Sequence, residues 1–564
     1  MKVLQLDVDR LAYDVLKPEA SVYEETKEKH AEYDDALVMW VCVEKGDTDA
    51  TADAAMKDTL AFMDQVGRRK LVVYPFAHLS SDLAEPKEAM RILEHMYKGV
   101  PKGIEAAKAP FGWTKKFTIE MKGHPLAEQS KSYDAKGTGK KTYKKAKPVS
   151  VNTATVKKSD WSGLPDTDHR SIGEKLDLYS FQEVSPGMVY WHPKGLKVYL
   201  ELVKFIRENQ DRYGYQEIST PAIANLALWQ VSGHLDHYRE NMFIFENEGQ
   251  EYGLKPMNCP SSILIYKSRR WSYRDLPFRS SIMDRLYRNE ISGALTGLFR
   301  VRELTQDDSH IFARDDQLQE ELHNVLKLLN ETYSTFGFTY KAKLSTMPDD
   351  HLGDEQLWER ATEGLKKALE ANKIAYEVKE KEGAFYGPKI DVDIQDSMGR
   401  EWQCATIQID YQLPLRFKLE YAGEDGKQHT PAIIHKTIYG SLERFLGILV
   451  EHYQGKFPTW LAPVQVKVIS ISDQSNEYAH KTYEQLRNAG IRVEEDIGDR
   501  TMEYKLREAI EQKIPYMLVV GKKEVDAGTV AVRVRSGGQK FGVKLDDFIE
   551  KLHVEIGKRL LSAN

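Results

Sequence analysis

The order of apolar and polar residues predicts alternating strands and helices at the amino-terminal end of the chain. Runs rich in valine and leucine, typical of buried strands, alternate with stretches of helical periodicity. The strand candidates are residues 2–6, 36–44 and 70–74, and the helix candidates are residues 50–66 and 83–97. We therefore predict an α/β domain over residues 1–142.

The middle of the chain has a different pattern. Apolar residues at helical spacing predict a helix at residues 196–206, after a Pro-Lys-Gly turn. Strand candidates at residues 383–394 and 401–411 lack the regular strand-helix alternation of a doubly wound sheet. This pattern favours an α+β domain with antiparallel strands and inserted helices over residues 179–462.

Pro463 begins a third region, residues 463–564, in which short apolar runs again alternate with helical stretches. The strand candidates are residues 464–471, 491–495, 516–520 and 529–534, and residues 476–488 form a helix candidate that ends before Gly490. We predict a separate α/β domain there.

A lysine-rich stretch separates the first two regions. Residues 129–160 contain nine lysines and two acidic residues. Such composition is typical of a linker, and a basic arm near RNA is the alternative. We assign residues 143–178 to this linker. The Gly137-Thr138-Gly139-Lys140 sequence of the lysine-rich stretch does not match a phosphate-binding loop, which needs Gly-x-x-x-x-Gly-Lys-Ser/Thr between a strand and a helix.

Composition narrows the class of protein. The 564 residues are 41% hydrophobic and 29% charged, and no apolar run approaches the ~18 residues of a membrane helix. Asp7 interrupts the first apolar stretch before a signal peptide could form. The three cysteines are far apart and odd in number, which favours a reducing compartment. We expect a cytoplasmic protein of several domains that does not insert into a membrane.

The strongest cluster of polar residues lies between positions 285 and 312. Arg288 and Glu290 precede a glycine-containing turn, and Arg300 follows it. Arginine forks bind phosphate oxygens and a carboxylate accepts from an amino group, so the set suits a nucleoside triphosphate. A solvated charged hairpin is the alternative, and composition alone favours it.

The wider context of this cluster resembles the class II aminoacyl-tRNA synthetases. Arg288-Asn289-Glu290 with residues 299–302 is similar to motif 2, residues 214–221 to motif 1, which builds the dimer interface, and residues 440–445 to motif 3. Within this class, the resemblance is to the archaeal-type threonyl-tRNA synthetases. It rests on His435 and on residues 258–260, 305–310, 386–389 and 402–408.

This resemblance implies an activity and an architecture. It implies ATP-dependent activation of L-threonine, with Mg²⁺, and transfer to tRNA(Thr) by a homodimer. It also implies an antiparallel class II catalytic sheet, an α/β anticodon-binding domain and an amino-terminal deacylase-like editing domain that hydrolyses seryl-tRNA(Thr).

The resemblance also implies roles for individual residues. The zinc ligands are Cys259, His310 and His435, and an open fourth position is what a catalytic zinc site requires. The threonine site comprises Asp308, Gln306, Tyr386 and Gln408. The ATP site comprises Arg288, Glu290, Arg300, Gln403, Thr406, Ser441 and Arg444. The catalytic set comprises Arg288, Arg444, Lys389 and His234, of which His234 is near the tRNA ribose hydroxyl. Leu304 replaces a phenylalanine that relatives often carry on the adenine face.

Two further sites follow from the same resemblance. Glu524 and Arg533 are the candidate anticodon readers, because splayed single-stranded bases are read on their edges. Without the resemblance they would be an ordinary surface ion pair. His78, Lys115 and Glu128 are the candidate editing residues, and Thr114 departs from the family's usual aromatic residue before the lysine.

Three alternatives remain open from the sequence. A sister synthetase for proline or serine would not need the cysteine and two histidines. A synthetase-like RNA-binding regulatory protein without charging activity would have no need of Arg288, Arg300 and Arg444. A protein whose main activity is deacylation would not need motifs 2 and 3.

Overall fold

Two units divide the chain in the computed structural model, Met1–Val151 and Asn152–Asn564. The structure describes residues 1–80, 82–123, 127–133, 161 and 163–561. Most of the predicted lysine-rich linker, and residues 124–126 of the editing resemblance, therefore lie outside the described residues. The finer division into four parts stays a prediction.

The amino-terminal unit is a mixed sheet with two helices. Its strands are β1 (Lys2–Pro18), β2 (His30–Cys42), β3 (Lys70–Pro75), β4 (Glu105–Lys108), β5 (Trp113–Met121) and β6 (Glu128–Ser132), and its helices are α1 (Asp49–Val66) and α2 (Pro86–Lys98). The strand order is β4-β3-β2-β1-β5, and β6 pairs with the first residues of β1. One face packs on α1 and α2, and the other holds a cluster of aromatic side chains around Trp40.

The first part of the second unit contains the large sheet. Its helices are α3 (His169–Lys175), α4 (Pro193–Arg212), α5 (Leu226–Ser232), α6 (His234–Tyr238), α7 (Cys259–Lys267), α8 (Leu318–Phe336), α9 (Glu355–Ala371), α10 (Gln412–Arg416) and α11 (Leu442–His452). Its strands are β7 (Tyr179–Phe181), β8 (Val189–Trp191), β9 (Gln216–Ile218), β10 (Ile223–Asn225), β11 (Ile244–Asn247), β12 (Gln250–Leu254), β13 (Phe278–Ile282), β14 (Arg285–Tyr287), β15 (Glu303–Thr305), β16 (Asp308–Ala313), β17 (Thr339–Ser345), β18 (Tyr376–Lys379), β19 (Lys389–Gln395), β20 (Glu401–Asp410), β21 (Tyr421–Ala422), β22 (Gln428–His429) and β23 (Ala432–Thr437).

The order of the large sheet is β18-β17-β19-β20-β23-β16-β13-β9. The inner pairs are antiparallel, as the sequence predicts, and only the outermost pairs are parallel. Successive side chains of a strand point to opposite faces. Ile311 of β16 and Ile434 of β23 accordingly face the large core with α8 and α11, whereas Phe312 and Ile433 face α7.

The carboxy-terminal part is a smaller mixed sheet with helices on both faces, which confirms the predicted α/β class. Its strands are β24 (Val466–Ser470), β25 (Val493–Asp496), β26 (Tyr516–Val520), β27 (Val530–Val534) and β28 (Gln539–Val543), and its helices are α12 (Asn476–Asn488), α13 (Met502–Glu511), α14 (Lys522–Ala527) and α15 (Leu545–Gly557). Among the described helices, none has both the length and the apolar character that a membrane crossing requires.

Candidate functional site

One cysteine and two histidines meet on the α7 face of the large sheet. His310 and His435 are paired directly across β16 and β23, and their ring centroids are 4.9 Å apart. Cys259 begins α7, which covers this face. One donor atom from each of the three residues lies within 4.8 Å of the others, and all three are buried. The group can hold a metal ion.

The hydrogen bonds of the two rings support this interpretation. Within the described residues, neither nitrogen of His310 has a hydrogen-bond partner, and the same holds for Nδ1 of His435. Buried polar atoms of native proteins are nearly always paired, so an unpaired set indicates a bound species. Nε2 of His435 lies 2.9 Å from Oδ2 of Asp410. Metal-binding histidines commonly make such a bond through their second nitrogen, so the residues present fit a metal.

Burial dominates the electrostatics of this group. It lowers the pKa of His310 well below its ordinary value, which favours the neutral ring that can bind a metal. It raises the pKa of the Cys259 thiol. Burial also raises the pKa of Asp308 to about 6, although the charge of nearby His435 acts in the opposite direction.

Three of the four predicted threonine-site residues lie beside the metal group. Asp308 is two residues before His310 on β16 and therefore points to the same face. Gln408 is opposite His435 in the sheet and accepts a hydrogen bond of 2.7 Å from the Tyr386 hydroxyl. The Tyr386 ring lies 5.3 Å from the His435 ring, centroid to centroid. Gln306 pairs with Ser441 just before β16.

His234 is also in this region, at the start of α6. Its ring is buried, with Nδ1 2.8 Å from the Ser232 hydroxyl and its centroid 6.4 Å from that of Tyr386. Burial lowers the pKa of His234 to about 3, so the ring is neutral at physiological pH.

The predicted nucleotide-binding arginines converge beside this group. Burial lowers the pKa of Arg444, and the positive charges of Arg288 and Arg300 act in the same direction. Arg444 donates from Nε to the carbonyl oxygen of Phe299 in the motif 2 loop, at 3.0 Å. Arg300 donates to Glu290 at 2.9 Å. Arginines in such an arrangement suit a polyanion.

Other predicted ATP-site residues lie on neighbouring elements. Ser441 caps α11 by accepting from the Arg444 backbone N–H. The Leu304 side chain belongs to a small buried cluster with Leu286 and Val301. Lys389, Gln403 and Thr406 lie on β19 and β20 and contact Asp391, a residue that sequence reasoning missed. Its position two residues after Lys389, on the same face of a strand, was the available signal.

Glu443 is a second residue that sequence reasoning missed. Its buried carboxylate accepts from the Thr305 backbone N–H and from the Ser441 hydroxyl, so it connects motif 3 to β15. Burial raises the pKa of Glu443 to about 7.

A second group, Asp168, His169 and Glu451, also brings metal-ligand atoms together. Its histidine is already fully hydrogen-bonded: Nδ1 lies 2.7 Å from Glu451, and Nε2 accepts from the Leu298 backbone N–H at 3.1 Å. The ring also packs 4.0 Å from that of Phe299. This group therefore acts as a support for the motif 2 loop rather than as a metal site.

The amino-terminal unit has its own cavity of about 520 Å³. His78 and Lys115 both line it, and Thr114 is also part of its wall. The Lys115 ammonium lies 5.2 Å from the centroid of the Tyr74 ring, and burial lowers its pKa to about 8. Glu128 is exposed on β6 and is not among the described residues that line this cavity.

The two predicted anticodon readers lie in the carboxy-terminal sheet region. Glu524 is in the first turn of α14, where its side chain accepts from the Gly521 backbone N–H at 3.0 Å. Arg533 lies on β27, opposite Met517 and Gln539 of the neighbouring strands.

Comparison with known proteins gives three family matches along the chain. Residues 1–133 match the archaea-specific editing domain of threonyl-tRNA synthetase. Residues 243–453 match the class II tRNA synthetase core domain of the glycine, histidine, proline, serine and threonine enzymes. Residues 465–555 match an anticodon-binding domain. These matches confirm the predicted fold class.

Individual relatives agree with these matches. The threonine–tRNA ligase of Thermotoga maritima is 53% identical over 395 residues, which are 70% of this chain and 62% of the relative. That of Clostridium botulinum is 52% identical over 389 residues, 69% of this chain and 61% of the relative. The chain thus spans about three fifths of the length of these relatives.

This chain matches almost the full length of one solved structure. The crystal structure of the RNA binding domain of threonyl-tRNA synthetase from Cryptosporidium parvum is 43% identical, with a TM-score of 0.68, and the match covers 69% of this chain and 98% of that one. Together with the editing-domain match and the Cys-His-His group, this likeness shows that the chain belongs to the threonyl-tRNA synthetase family.

Proposed function

We propose that the protein is a threonine–tRNA ligase, which activates L-threonine with ATP, transfers it to tRNA(Thr) and hydrolyses mischarged seryl-tRNA(Thr). One observation carries the proposal. The metal group of Cys259, His310 and His435 lies near Arg288, which donates to the carbonyl oxygen of Pro256 three residues before Cys259, and Arg444 reaches the loop that carries Arg300. This arrangement suits a small polar substrate next to a triphosphate.

We assign zinc to the metal group, since one thiolate and two imidazoles are typical of a catalytic zinc site. Threonine differs from valine by a hydroxyl in place of a methyl, and an apolar pocket distinguishes such isosteres weakly. Bound there, the ion would supply a Lewis acid for the amino and hydroxyl groups of threonine. Asp308 is in position to accept the substrate ammonium, and Tyr386 and Gln408 form the adjacent wall.

Activation is attack of the threonine carboxylate on the α-phosphate of ATP, and positioning and charge stabilisation supply most of the catalysis. In our assignment Arg288 binds the α-phosphate and Arg300 the γ-phosphate. Arg444 stacks on the adenine, and Glu290 accepts from its amino group. Since Arg300 pairs with Glu290 in this structure, ATP binding exchanges one ion pair for two substrate contacts. Mg²⁺ enters with the ATP.

Transfer to tRNA requires a proton acceptor near the ribose hydroxyl, and we assign this role to His234. Its neutral ring close to Tyr386 supports the assignment. We assign Glu524 and Arg533 to the reading of the anticodon bases, because the edges of unstacked bases are open to hydrogen bonds.

We assign editing to the cavity of the amino-terminal unit. Serine retains the amino and hydroxyl groups of threonine and lacks one methyl, which is worth only about 1–3 kcal/mol, or roughly 10–200-fold, of discrimination. A second, hydrolytic site is therefore needed. Lys115 and His78 line the same cavity, which supports their assignment to the ester. Glu128 has no such support from its position.

Two further assignments concern assembly and compartment. We infer a homodimer through the motif 1 region, residues 213–221, with the two-fold symmetry usual for enzymes. Leu196 and Leu200, on the helix α4 that precedes this region, are 40% and 52% exposed and offer apolar surface to a partner subunit. The three cysteines, all in the described part of the chain, are unpaired, so we infer a cytoplasmic location.

The decisive experiment is ATP–pyrophosphate exchange across all amino acids. We expect exchange with threonine, weaker exchange with serine, and none above background with valine. Deletion of residues 1–142 should leave threonine charging measurable and allow seryl-tRNA(Thr) to accumulate. Exchange with proline alone would contradict the threonine assignment, and equal seryl-tRNA accumulation by both proteins would contradict editing. A regulatory protein without charging activity would give no exchange at all.

A further inference from the structure

Asp391 lies on β19 and is only 6% exposed, yet four polar side chains contact its carboxylate. Gln403 and Thr406 donate to Oδ1, at 2.6 and 3.3 Å. Ser345 donates to Oδ2 at 3.0 Å, and the Lys389 ammonium lies 2.9 Å from the same oxygen. Three of these four partners are predicted catalytic or ATP-site residues.

Strand geometry brings these partners together. Lys389 and Asp391 are two residues apart on β19 and so point to the same face. On β20, Gln403 and Thr406 are three apart and would ordinarily point to opposite faces. A register shift between the Val392 and Asp393 pairs inserts an extra residue into β20. Such a bulge re-aims side chains, and here it allows both Gln403 and Thr406 to reach one carboxylate.

The contacts also indicate what Asp391 does. A carboxylate accepts about four hydrogen bonds, two on each oxygen, and all four positions are used here. The group has little capacity left for a metal or a substrate. It instead fixes the orientation of the cationic Lys389 and of two polar side chains of the nucleotide site.

We propose that Asp391 is the positioning residue of the ATP site, which holds Lys389, Gln403 and Thr406 in the orientation that binds the nucleotide. This inference rests on the proposed function, since it assumes that these three residues meet ATP. Asp391 would thus belong to the ATP site without contacting the substrate itself.

The chain offers a matched control on the same strand. Asp393 points to the same face, is similarly buried at 7% exposure, and pairs with Lys343. Lys343 has no predicted role in either substrate site. If buried carboxylates only stabilised this sheet, replacement of either aspartate would have the same effect. If Asp391 positions the ATP site, only its replacement should change the use of ATP.

The test is ATP–pyrophosphate exchange by the full chain, with ATP and threonine varied separately. In Asp391→Asn, an amide NH2 group replaces one of the two oxygens, so either Lys389 and Ser345 or Gln403 and Thr406 lose their acceptor, and Lys389 loses its opposite charge in both cases. We expect the KM for ATP to rise about 10-fold or more and kcat to fall, with the KM for threonine within about 2-fold of the unchanged protein. Asp393→Asn should leave both KM values within about 2-fold.

Ser345→Ala removes one of the four contacts without changing a predicted site residue, and it keeps the test decisive if Asp391→Asn does not fold. We expect a rise of about 2–5-fold in the KM for ATP. The proposal would be overturned if the KM for ATP and kcat were unchanged in both Ser345→Ala and Asp391→Asn. It would also be overturned if the KM values for ATP and threonine shifted equally in both aspartate variants. Absence of threonine-dependent exchange in the unchanged protein would instead contradict the proposed function.

Discussion

Nε2 of His435 lies 2.9 Å from Oδ2 of Asp410, and this contact leaves Nδ1 of the same ring as the nitrogen without a partner among the described residues. A hydrogen bond at one nitrogen fixes the tautomer and orientation of an imidazole. The pair therefore prepares the ring as a ligand before any metal binds. Asp410 is as much a part of the candidate metal site as the three ligands.

Replacement of Asp410 by Asn tests this relationship. Oδ1 of Asp410 accepts from the backbone N–H groups of Gln412 and Leu413, and the Asn oxygen can keep both bonds. The new amide N–H donates towards His435 where the carboxylate accepted. We expect zinc affinity to fall about 10–100-fold while the fold remains intact. Zinc content after dialysis against a graded chelator, together with the thermal unfolding curve, measures both effects.

Replacement of Cys259 by Ser tests the ligand set itself. We expect the zinc content to fall and threonine-dependent exchange to drop to background, because a catalytic site loses one of three ligands. The fold should persist, since serine is close to cysteine in size and the other buried members of the apolar cluster at α7 remain. Cys42→Ser, in the other unit, is the control and should keep its zinc. Full exchange activity in metal-free protein would exclude a role for zinc.

The elements that sequence patterns predicted well are those whose pattern is local. Helix α12 and strand β26 begin and end where the apolar periodicity indicates. Strand β1 was predicted only for residues 2–6, because Asp7 and Asp9 interrupt the apolar run. It continues to Pro18, paired with β2 and β5, because Leu11, Tyr13 and Val15 are buried and alternate with less buried residues.

The candidate site also could not be found from local sequence patterns. Cys259, His310 and His435 come from a helix and two strands far apart in the chain, so their spacing matches no metal motif and only family resemblance named them. Asp391 and Asp410 escaped sequence reasoning because most of their partners lie on neighbouring strands, and a bulge in β20 brings two of the partners of Asp391 within reach. Such cross-strand pairs depend on register, which single-sequence patterns do not give.

Lys115→Met in the full chain tests the editing cavity. We expect seryl-tRNA(Thr) to accumulate while threonine activation and tRNA affinity remain unchanged, because the lysine lies in the amino-terminal unit. Aminoacyl-tRNA gels with serine and threonine measure the accumulation. An editing rate equal to that of the unchanged protein would remove Lys115 from the proposed site.

Lys115→Met should also change how the stability of the protein depends on pH. Burial lowers the folded-state pKa of Lys115 from 10.5 to about 8. The folded protein then binds this proton less readily than the unfolded chain, so the destabilisation is complete below about pH 8 and disappears as the pH rises towards 10.5. Lys115→Met removes this contribution. The free energy of unfolding of Lys115→Met, minus that of the unchanged protein, should be largest and constant below pH 8 and should decrease above it. Chemical denaturation at several pH values measures this difference.

His169 provides the last prediction, because it connects a segment assigned to the linker with the nucleotide site. Its Nε2 accepts from the Leu298 N–H, and its ring packs on Phe299, whose carbonyl oxygen accepts from Arg444. Loss of the ring in His169→Ala leaves a buried N–H unpaired, which costs about 1–3 kcal/mol of unfolding free energy. It should also loosen the loop that carries Arg300, so the KM for ATP should rise while the KM for threonine stays unchanged.

Truncation tests the whole segment, since residues 163–178 also contribute Ile172, Leu176 and Leu178 to the large core. A chain that begins at residue 143 retains His169 and should keep ATP-dependent exchange, whereas a chain that begins at residue 179, where we predicted the catalytic domain to start, lacks it. We expect the shorter chain to bind threonine in the presence of zinc, because Cys259, His310 and His435 remain, and to bind ATP more weakly than the longer one. Calorimetric titration of each ligand against each chain measures the difference. Equal ATP affinities of the two chains would mean that residues 163–178 are a linker after all, and that His169 only fills space beside the motif 2 loop.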